Sequence, residues 1–120
     1  MSVVIVTGSR DWTDRAAIGR VLTNAIPSLV VQGGARGADR IALEWSKDNG
    51  IPSETFHANW RQYGKIAGRV RNCAMLNAFP KARVVAFPLG GPGTRHCIAE
   101  AQHRGMEVFI YGLTGELFCP

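Results

Sequence analysis

Three short glycine-rich loops contain the residue types that bind phosphate groups. They read GSR at residues 8–10, GGARG at residues 33–37 and GGPGT at residues 90–94, and each lies between a strand-like and a helix-like segment. Glycine lets the backbone approach a ligand closely, and the following helix start offers unpaired amide hydrogens and the positive end of the helix dipole. One such loop is more often only a tight turn, but three in one chain favour a phosphate-binding cleft.

Charged residues in and beside these loops extend this interpretation. Arg10 and Arg36 lie inside two of the loops, where a guanidinium group can bind phosphate oxygens, although each is equally compatible with a solvated surface arginine. Asp39 falls in the first turn of the helix that follows. Its carboxylate can either stabilise that helix end or accept a hydrogen bond from a ribose hydroxyl.

A segment rich in aromatic and basic residues follows the third predicted strand. Trp60 and Tyr63 flank Arg61, and Lys65 lies close by. The aromatic rings can stack on a nucleobase or cover the rim of the core, and the sequence leaves both interpretations open.

The sequence contains no recognisable metal site, catalytic triad or standard nucleotide motif. Three cysteines without CxxC spacing indicate neither a disulfide framework nor a zinc site, and the adjacent His96 and Cys97 would diverge on a helix. Ser9 does not lie in a GxSxG motif, and the GxGxxG and GxxxxGK[ST] motifs are absent. We therefore predict no metal and no cofactor, and the sequence leaves open whether the protein is an enzyme.

Strands and helices alternate along the chain and would position these loops. Short β-branched runs predict strands, and apolar residues at helical spacing, such as Ile18, Val21 and Leu22, predict helices. The predicted strands span residues 2–7, 29–32, 53–58, 82–87 and 107–111, with helices at 14–26, from 38 to the Asn-Gly pair at 49–50, at 66–79 and at 95–104, and a loop at 59–65. This alternation predicts a Rossmann-like three-layer α/β fold with five parallel strands in the order 3-2-1-4-5, which places the glycine loops around one crevice.

Composition limits the classes of protein to consider. The 120 residues suffice for one domain, predicted to span residues 1–120, and 46% of them are hydrophobic. No apolar run approaches the roughly 20 residues of a membrane helix, so we expect a soluble, cytoplasmic protein without membrane partners. The net charge is +5, with eleven arginines against three lysines. This excess favours an anionic ligand, although a solvated basic surface has the same charge.

Five motifs in series resemble a known family. They read TGSR at residues 7–10, GGARGAD at 33–39, WxxxGKxAG at 60–68, RNxxM at 71–75 and GGPGT at 90–94. Their order resembles the YspA/YpsA-related (YAcAr) branch of the SLOG superfamily over about residues 3–111. That superfamily also includes the cytokinin-activating phosphoribohydrolases (LOG, often labelled lysine-decarboxylase-like) and the DNA-processing protein DprA.

The resemblance implies a domain that binds a nucleotide or a nucleotide-derived small molecule and forms a homodimer or a higher homo-oligomer. Arg71 matches an arginine that faces the ligand in the hydrolase branch. It is a candidate catalytic residue, together with Asp39. The full set of predicted ligand-binding residues is Gly8, Ser9, Arg10, Gly33, Gly34, Arg36, Gly37, Asp39, Trp60, Lys65, Arg71, Asn72, Gly90, Gly91, Gly93 and Thr94.

The chain departs from the hydrolase branch at the third loop. That branch reads PGGxGTxxE, whereas here Leu89 is inserted after Pro88, and Cys97 stands where the glutamate is expected. Glu100 is one helical turn further along and would face differently. These differences argue against hydrolysis of an N-glycosidic bond by the same mechanism.

Three functions follow from these observations. We favour a binding domain that acts as a sensor, carrier or sequestering protein for a nucleotide-derived ligand. The alternative is a nucleoside 5′-monophosphate phosphoribohydrolase, in which Asp39 or Glu44 would have to stabilise an oxocarbenium-like transition state. The third is DprA-like nucleic-acid binding, which we expect to be weak and non-specific because the cations are scattered along the chain.

Overall fold

The computed structural model describes residues 2–112 and 117–119, which form one six-stranded sheet with helices on both faces. The strands are β1 (Val3–Gly8), β2 (Leu29–Gln32), β3 (Ser53–Thr55), β4 (Arg83–Phe87), β5 (Val108–Tyr111) and β6 (Leu117–Cys119). The helices are α1 (Arg15–Ala25), α2 (Ala38–Asp48), α3 (Trp60–Tyr63), α4 (Ala67–Ala78) and α5 (Pro92–His103), with a 3-10 turn at Gly64–Ile66.

The sheet has the strand order β3-β2-β1-β4-β5-β6. The first five strands pair in parallel, which confirms the predicted order 3-2-1-4-5 and the predicted fold class. Strand β6, which the sequence did not predict, pairs antiparallel with β5. The sequence of β3 is less apolar than that of the other parallel strands, in agreement with its place at an edge of the sheet.

Alternating side chains of β1 separate two hydrophobic cores. Val4 and Val6 pack with α1 and α2, whereas Ile5 packs on the opposite face with α4 and α5. Both faces of a parallel strand are therefore covered, as the continuous apolar run of β1 predicts. On the first face, the buried rings of Trp12 and Phe87 pack edge to face, with their centroids 5.2 Å apart.

The structure corrects two element boundaries near the predicted site. Helix α5 begins at Pro92 rather than at residue 95, because the fixed φ of proline suits the first helical position. The segment predicted as a loop at 59–65 contains α3 and the 3-10 turn. A single helical turn has too few residues for an apolar periodicity, and its start depends on Asn59, whose side chain accepts a hydrogen bond from the Gln62 amide at 3.0 Å.

Helix length bears on the membrane prediction. The two longest helices, α4 and α5, have 12 residues each, which corresponds to about 18 Å at 1.5 Å per residue. No helix of residues 2–112 or 117–119 is long and apolar enough to cross a membrane.

Candidate functional site

A cleft of about 460 Å³ opens at the carboxyl ends of β1 and β4. The chain continues from these two neighbouring strands to helices on opposite faces of the sheet, and open parallel sheets bind ligands at such a switch point. The volume is in the range typical of small-molecule sites. The predicted residues that line it are Gly8, Ser9, Arg10, Arg36, Asp39, Trp60, Lys65, Arg71, Asn72, Gly91, Gly93 and Thr94.

The other four predicted residues lie elsewhere. Gly33 and Gly34 line a smaller adjoining pocket of about 260 Å³, which shares Arg10, Arg36, Trp60 and Arg71 with the main cleft. Gly37 and Gly90 line neither pocket. The structure thus brings most of the predicted residues together, but it does not place every glycine of the loops at the cleft surface.

The GSR loop after β1 is held in place by its own backbone and hydroxyl. The Ser9 amide donates to the Phe87 carbonyl at 3.0 Å, and the Ser9 carbonyl accepts from the Ala38 amide at 3.1 Å. The Ser9 hydroxyl accepts from the Asp11 amide at 3.0 Å. Since these groups are engaged within the protein, Ser9 shapes the turn, and the exposed Arg10 beside it extends toward solvent.

The GGARG loop after β2 is fastened by buried polar side chains. The fully buried Gln32 accepts from the Gly34 amide at 2.6 Å and donates to the Thr55 hydroxyl at 2.5 Å. One Asp39 carboxylate oxygen accepts from the Ala35 amide at 3.3 Å. The loop therefore uses these amides internally, and its contribution to the cleft comes mainly from side chains.

Asp39 is the buried acid of the cleft and is 6% exposed. Burial raises its pKa from 3.8 to about 6, while the Arg71 charge and the backbone amides of Ala35 and Gly33 oppose that rise. At pH 7 the group is largely ionised, and it can accept a hydrogen bond from a ligand hydroxyl. The contact with the Ala35 amide of the loop is compatible with a contact to a ligand, because a carboxylate has two oxygens.

Arg71 and Asn72 connect α4 to two of the three glycine-rich loops, GGARG and GGPGT. The Arg71 guanidinium donates to the Gly33 carbonyl at 2.7 Å and, through Nε, to the Asn72 side-chain oxygen at 3.0 Å. The buried Asn72 amide donates to the Gly93 carbonyl at 3.1 Å. These bonds span 38 and 21 residues of sequence, so both side chains position the cleft walls as well as line them.

The GGPGT loop forms the start of α5 and remains open. No side chain in the part of the chain that the structure describes caps this helix, Pro92 occupies its first turn, and Gly93 is exposed. A methyl group added at Gly91 or Gly93 would meet no atom of residues 2–112 or 117–119 within 4 Å. An uncapped helix start with free space in front of it suits an anion.

A basic and aromatic rim surrounds the mouth of the cleft. The Arg10 guanidinium lies 5.7 Å from the centroid of the Trp60 ring, and Trp60 is half exposed. Lys65 and Arg69 are exposed on the same side. Arg69 was not predicted, although its position three residues before Asn72 places these two side chains on the same face of α4.

Cys97, at the position where the hydrolase branch has a glutamate, does not face the cleft. Cys97 is fully buried in the core beneath α4 and α5 and does not line either pocket. Burial raises the pKa of its thiol to about 11, so it is protonated at neutral pH. Among the described residues, the acids that line the main cleft are Asp39 and the exposed Asp11, whose carboxylate lies 3.6 Å from the Arg36 guanidinium group.

Comparison with known proteins gives two sequence matches. The family model described as "YspA, cpYpsA-related SLOG family" matches residues 2–63. The Gene 61 protein of Mycobacterium phage D29 is 41% identical over 123 residues, covering 93% of this chain and 98% of that protein.

A solved structure has a similar fold. The X-ray structure of DNA processing protein A (DprA) from Streptococcus pneumoniae superposes with a TM-score of 0.73 at 20% sequence identity. The match covers 92% of this chain but 50% of that chain. At this identity the similarity establishes a shared architecture.

Proposed function

The chain belongs to the YspA, cpYpsA-related SLOG family, and we propose that it binds a nucleotide or a nucleotide-derived small molecule in the cleft at the β1 and β4 strand ends. In this proposal, residues 1–120 form one binding domain that acts as a sensor, carrier or sequestering protein. The observation that carries the proposal is the open start of α5, which faces a cleft whose rim holds Arg10, Arg36, Lys65 and Arg69.

The cleft offers a distinct partner for each part of a nucleotide. The amides at the start of α5, around Gly93, and the guanidinium groups of Arg10 and Arg36 suit the phosphate. Asp39 suits a ribose hydroxyl, because its carboxylate accepts hydrogen bonds on the cleft wall. The half-exposed Trp60 ring offers a stacking surface for the base.

Calorimetric titration of the full chain tests this proposal. The probes are AMP, GMP, CMP and UMP, with the corresponding nucleosides and inorganic phosphate titrated alongside. We expect at least one monophosphate to bind more tightly than its nucleoside, because the phosphate contributes charge-assisted hydrogen bonds worth about 1.5–3 kcal/mol. Failure of all four monophosphates to bind would contradict the proposal.

Arginine variants locate the phosphate. Arg10→Ala and Arg36→Ala are each expected to weaken monophosphate binding by roughly ten- to hundredfold while leaving nucleoside binding unchanged. Arg61→Ala is the matched control, since Arg61 is exposed in α3 and does not line the cleft. Equal affinity of all three variants and the unaltered chain would show that these arginines are surface charges only.

Hydrolysis of the base–ribose bond is the second candidate, and the buried Asp39 carboxylate favours it. The transition state develops positive charge on the ribose ring, and a carboxylate fixed in the cleft would stabilise that charge. A base-release assay over the same monophosphates, with Asp39→Asn in parallel, separates the two functions. Turnover that disappears in Asp39→Asn would replace binding by hydrolysis, whereas binding without turnover supports the binding domain.

Three further expectations belong to this proposal. A cleft of this size suits a small molecule, so binding to DNA or RNA should be weak and should fall steeply as salt is raised. Assembly as a homodimer or higher homo-oligomer and a cytoplasmic location remain predictions from the sequence.

A further inference from the structure

Three side chains with metal-binding atoms meet between α4 and α5, outside the residues that line the cleft. They are Cys73 of α4 and His96 and Glu100 of α5, and their ligand atoms all lie within 4.8 Å of one another. All three residues are partly buried. The sequence directed attention to the neighbours His96 and Cys97, but α5 turns Cys97 into the core, and the packing of α4 supplies Cys73 instead.

The spacing of these residues follows from helix geometry. His96 and Glu100 are four residues apart, so they lie one turn apart on the same face of α5. Cys73 approaches from the facing helix, which Asn72 already fastens to α5 through the Gly93 carbonyl at 3.1 Å. Two ligands on one helix and one on its neighbour form a site that is set by helix packing and not by a flexible loop.

We propose that Cys73, His96 and Glu100 bind a divalent transition-metal ion of the Zn²⁺ class. A thiolate, an imidazole and a carboxylate form a donor set that suits Zn²⁺ or Co²⁺ and does not suit Mg²⁺ or Ca²⁺, which prefer oxygen ligands. Three protein ligands leave a fourth position for water. This proposal does not rest on the proposed nucleotide binding, since none of the three residues lines the cleft.

The three ligand atoms would need to move only slightly to bind one ion. Bond lengths of about 2.0–2.3 Å place the ligand atoms of a tetrahedral site roughly 3.5 Å apart. A separation of at most 4.8 Å therefore closes through a shift of about 1 Å, which side-chain rotation can supply. Glu100 is already oriented by Arg104, whose Nε lies 3.5 Å from one of its carboxylate oxygens.

Metal binding would also affect the cleft wall. The Asn72 amide nitrogen lies 3.2 Å from Nδ1 of His96, and this contact places the lone pair of the neutral ring on Nδ1. A metal bound at Nδ1 would displace the Asn72 amide from that atom. A metal bound at Nε2 would leave the ring proton on Nδ1, and the Asn72 NH₂ group cannot accept a hydrogen bond from it. Either event changes the environment of Asn72, which lines the cleft and supports the first turn of α5.

Titration of the reduced full chain with Co²⁺ alone tests the site. Binding through a thiolate produces a sulfur-to-cobalt charge-transfer absorption, and a four-coordinate ion intensifies the visible cobalt bands. We expect one equivalent of Co²⁺ per chain to produce both signals and an excess of Zn²⁺ to abolish them. The absence of a charge-transfer signal would overturn the proposal.

Substitutions assign the ligands. Cys73→Ser should abolish the charge-transfer absorption, and His96→Gln should weaken Co²⁺ binding by about tenfold or more, because losing a ligand costs at least as much as losing a group that only supports one. The matched controls are Cys97→Ala, which removes the neighbouring thiol, and His103→Gln, which removes an exposed histidine of the same helix. Charge-transfer absorption that persists in Cys73→Ser, or unaltered Co²⁺ affinity in His96→Gln, would overturn the assignment.

Thermal unfolding separates loss of a ligand from loss of the fold. Zn²⁺ should raise the melting temperature of the unaltered chain, because an ion that binds only the folded state stabilises it by mass action. Without metal, Cys73→Ser should melt within a few degrees of the unaltered chain, because serine is close to cysteine in size. A rise with Zn²⁺ that is as large in Cys73→Ser as in the unaltered chain would contradict the site.

Discussion

Two glycine-rich loops that look alike in the sequence behave differently in the structure. A Cβ added at Gly37 in the GGARG loop would lie 2.5 Å from the Arg10 carbonyl oxygen, and one at Gly33 would collide with the Arg71 guanidinium group. In the GGPGT loop, a Cβ at Gly91 or Gly93 would meet no atom within 4 Å. The first loop is packed against protein, and the second is open.

This difference suggests separate roles for the two loops. The packed GGARG loop forms part of the cleft wall, and the open GGPGT loop is the one we expect to contact a ligand. Gln32, Asp39 and the Ser9 carbonyl accept hydrogen bonds from amides of the GGARG loop and of the start of α2. Protein atoms also fill the space beside the glycines of this loop, so a larger residue would not fit there. Among residues 2–112 and 117–119, no side chain caps the start of α5, and its glycines leave room for a ligand group there. We therefore expect the packed loop to govern stability and the open loop to govern affinity.

Gly37→Ala is expected to have the largest effect on stability. Gly37 has φ of +78° and ψ of −129°, a conformation essentially restricted to glycine, which costs another residue about 1–3 kcal/mol. The new methyl group would also press on backbone atoms of Ser9 and Arg10, which cannot rotate away. We expect a loss of roughly 3 kcal/mol or more in the free energy of unfolding, measured by urea denaturation.

Gly50→Ala is the control that isolates the packing contribution. Gly50 also has a positive φ, of +66°, but an added Cβ there would meet no atom within 4 Å. Its loss should therefore be about 1 kcal/mol, from backbone conformation alone. Equal losses in the two variants would mean that the GGARG loop is not packed as the structure has it.

Asp39→Asn is expected to have the next largest effect, and that effect depends on pH. The folded chain holds Asp39 with a pKa raised to about 6 from 3.8, so the buried charge reduces stability above pH 6. As the pH falls from 6 toward 4, the folded state takes up the proton first, and the free energy of unfolding rises. The shift of about two units corresponds to about 3 kcal/mol.

The difference in unfolding free energy between Asp39→Asn and the unaltered chain isolates this group from other titrations. We expect the variant to be more stable at pH 8, by up to about 3 kcal/mol, and the advantage to disappear near pH 4. Asp11→Asn, at an exposed acid of the same cleft, should differ from the unaltered chain by less than about 0.5 kcal/mol. An Asp39→Asn difference that stays constant from pH 4 to 8 would contradict the raised pKa.

Gly93→Ala is expected to affect affinity but hardly stability. Alanine favours a helical first turn by up to about 1 kcal/mol over glycine, so urea denaturation should show no loss. Its methyl group would enter the space in front of the helix start, and calorimetry should show monophosphate affinity reduced by roughly tenfold, or about 1.4 kcal/mol.

Gly19→Ala gives the matched control for the open loop. Gly19 lies inside α1, where an added Cβ meets Trp45 at an ordinary 3.6 Å and is remote from the cleft residues. Gly19→Ala should leave monophosphate affinity unchanged. If Gly93→Ala bound monophosphates as tightly as Gly19→Ala does, the open loop would not be the phosphate site.

Local patterns were sufficient for the five parallel strands, the four longer helices and the general position of the site. The β-branched run of β1 and the apolar spacing in α1 predicted both elements, and the Asp14 side chain, just before α1, accepts a hydrogen bond from the Ala17 amide at 3.0 Å. Strand order and the place of the cleft followed because parallel strands connected by helices have few allowed arrangements. The one-turn helix at Trp60–Tyr63 was missed because it has no periodicity to detect.

The sequence by itself determined the alternation of strands and helices, the family and the three loops, because each depends on residues close together in the chain. Only the tertiary structure decided which glycine-rich loop is packed against other protein atoms. The Arg71 guanidinium that donates to the Gly33 carbonyl, for example, comes from 38 residues away in the sequence. It also decided that the side chain of Cys73, and not that of the sequence neighbour Cys97, lies near the side chain of His96. Such partners depend on how distant helices pack across the sheet, and a local pattern of residues carries no record of that packing.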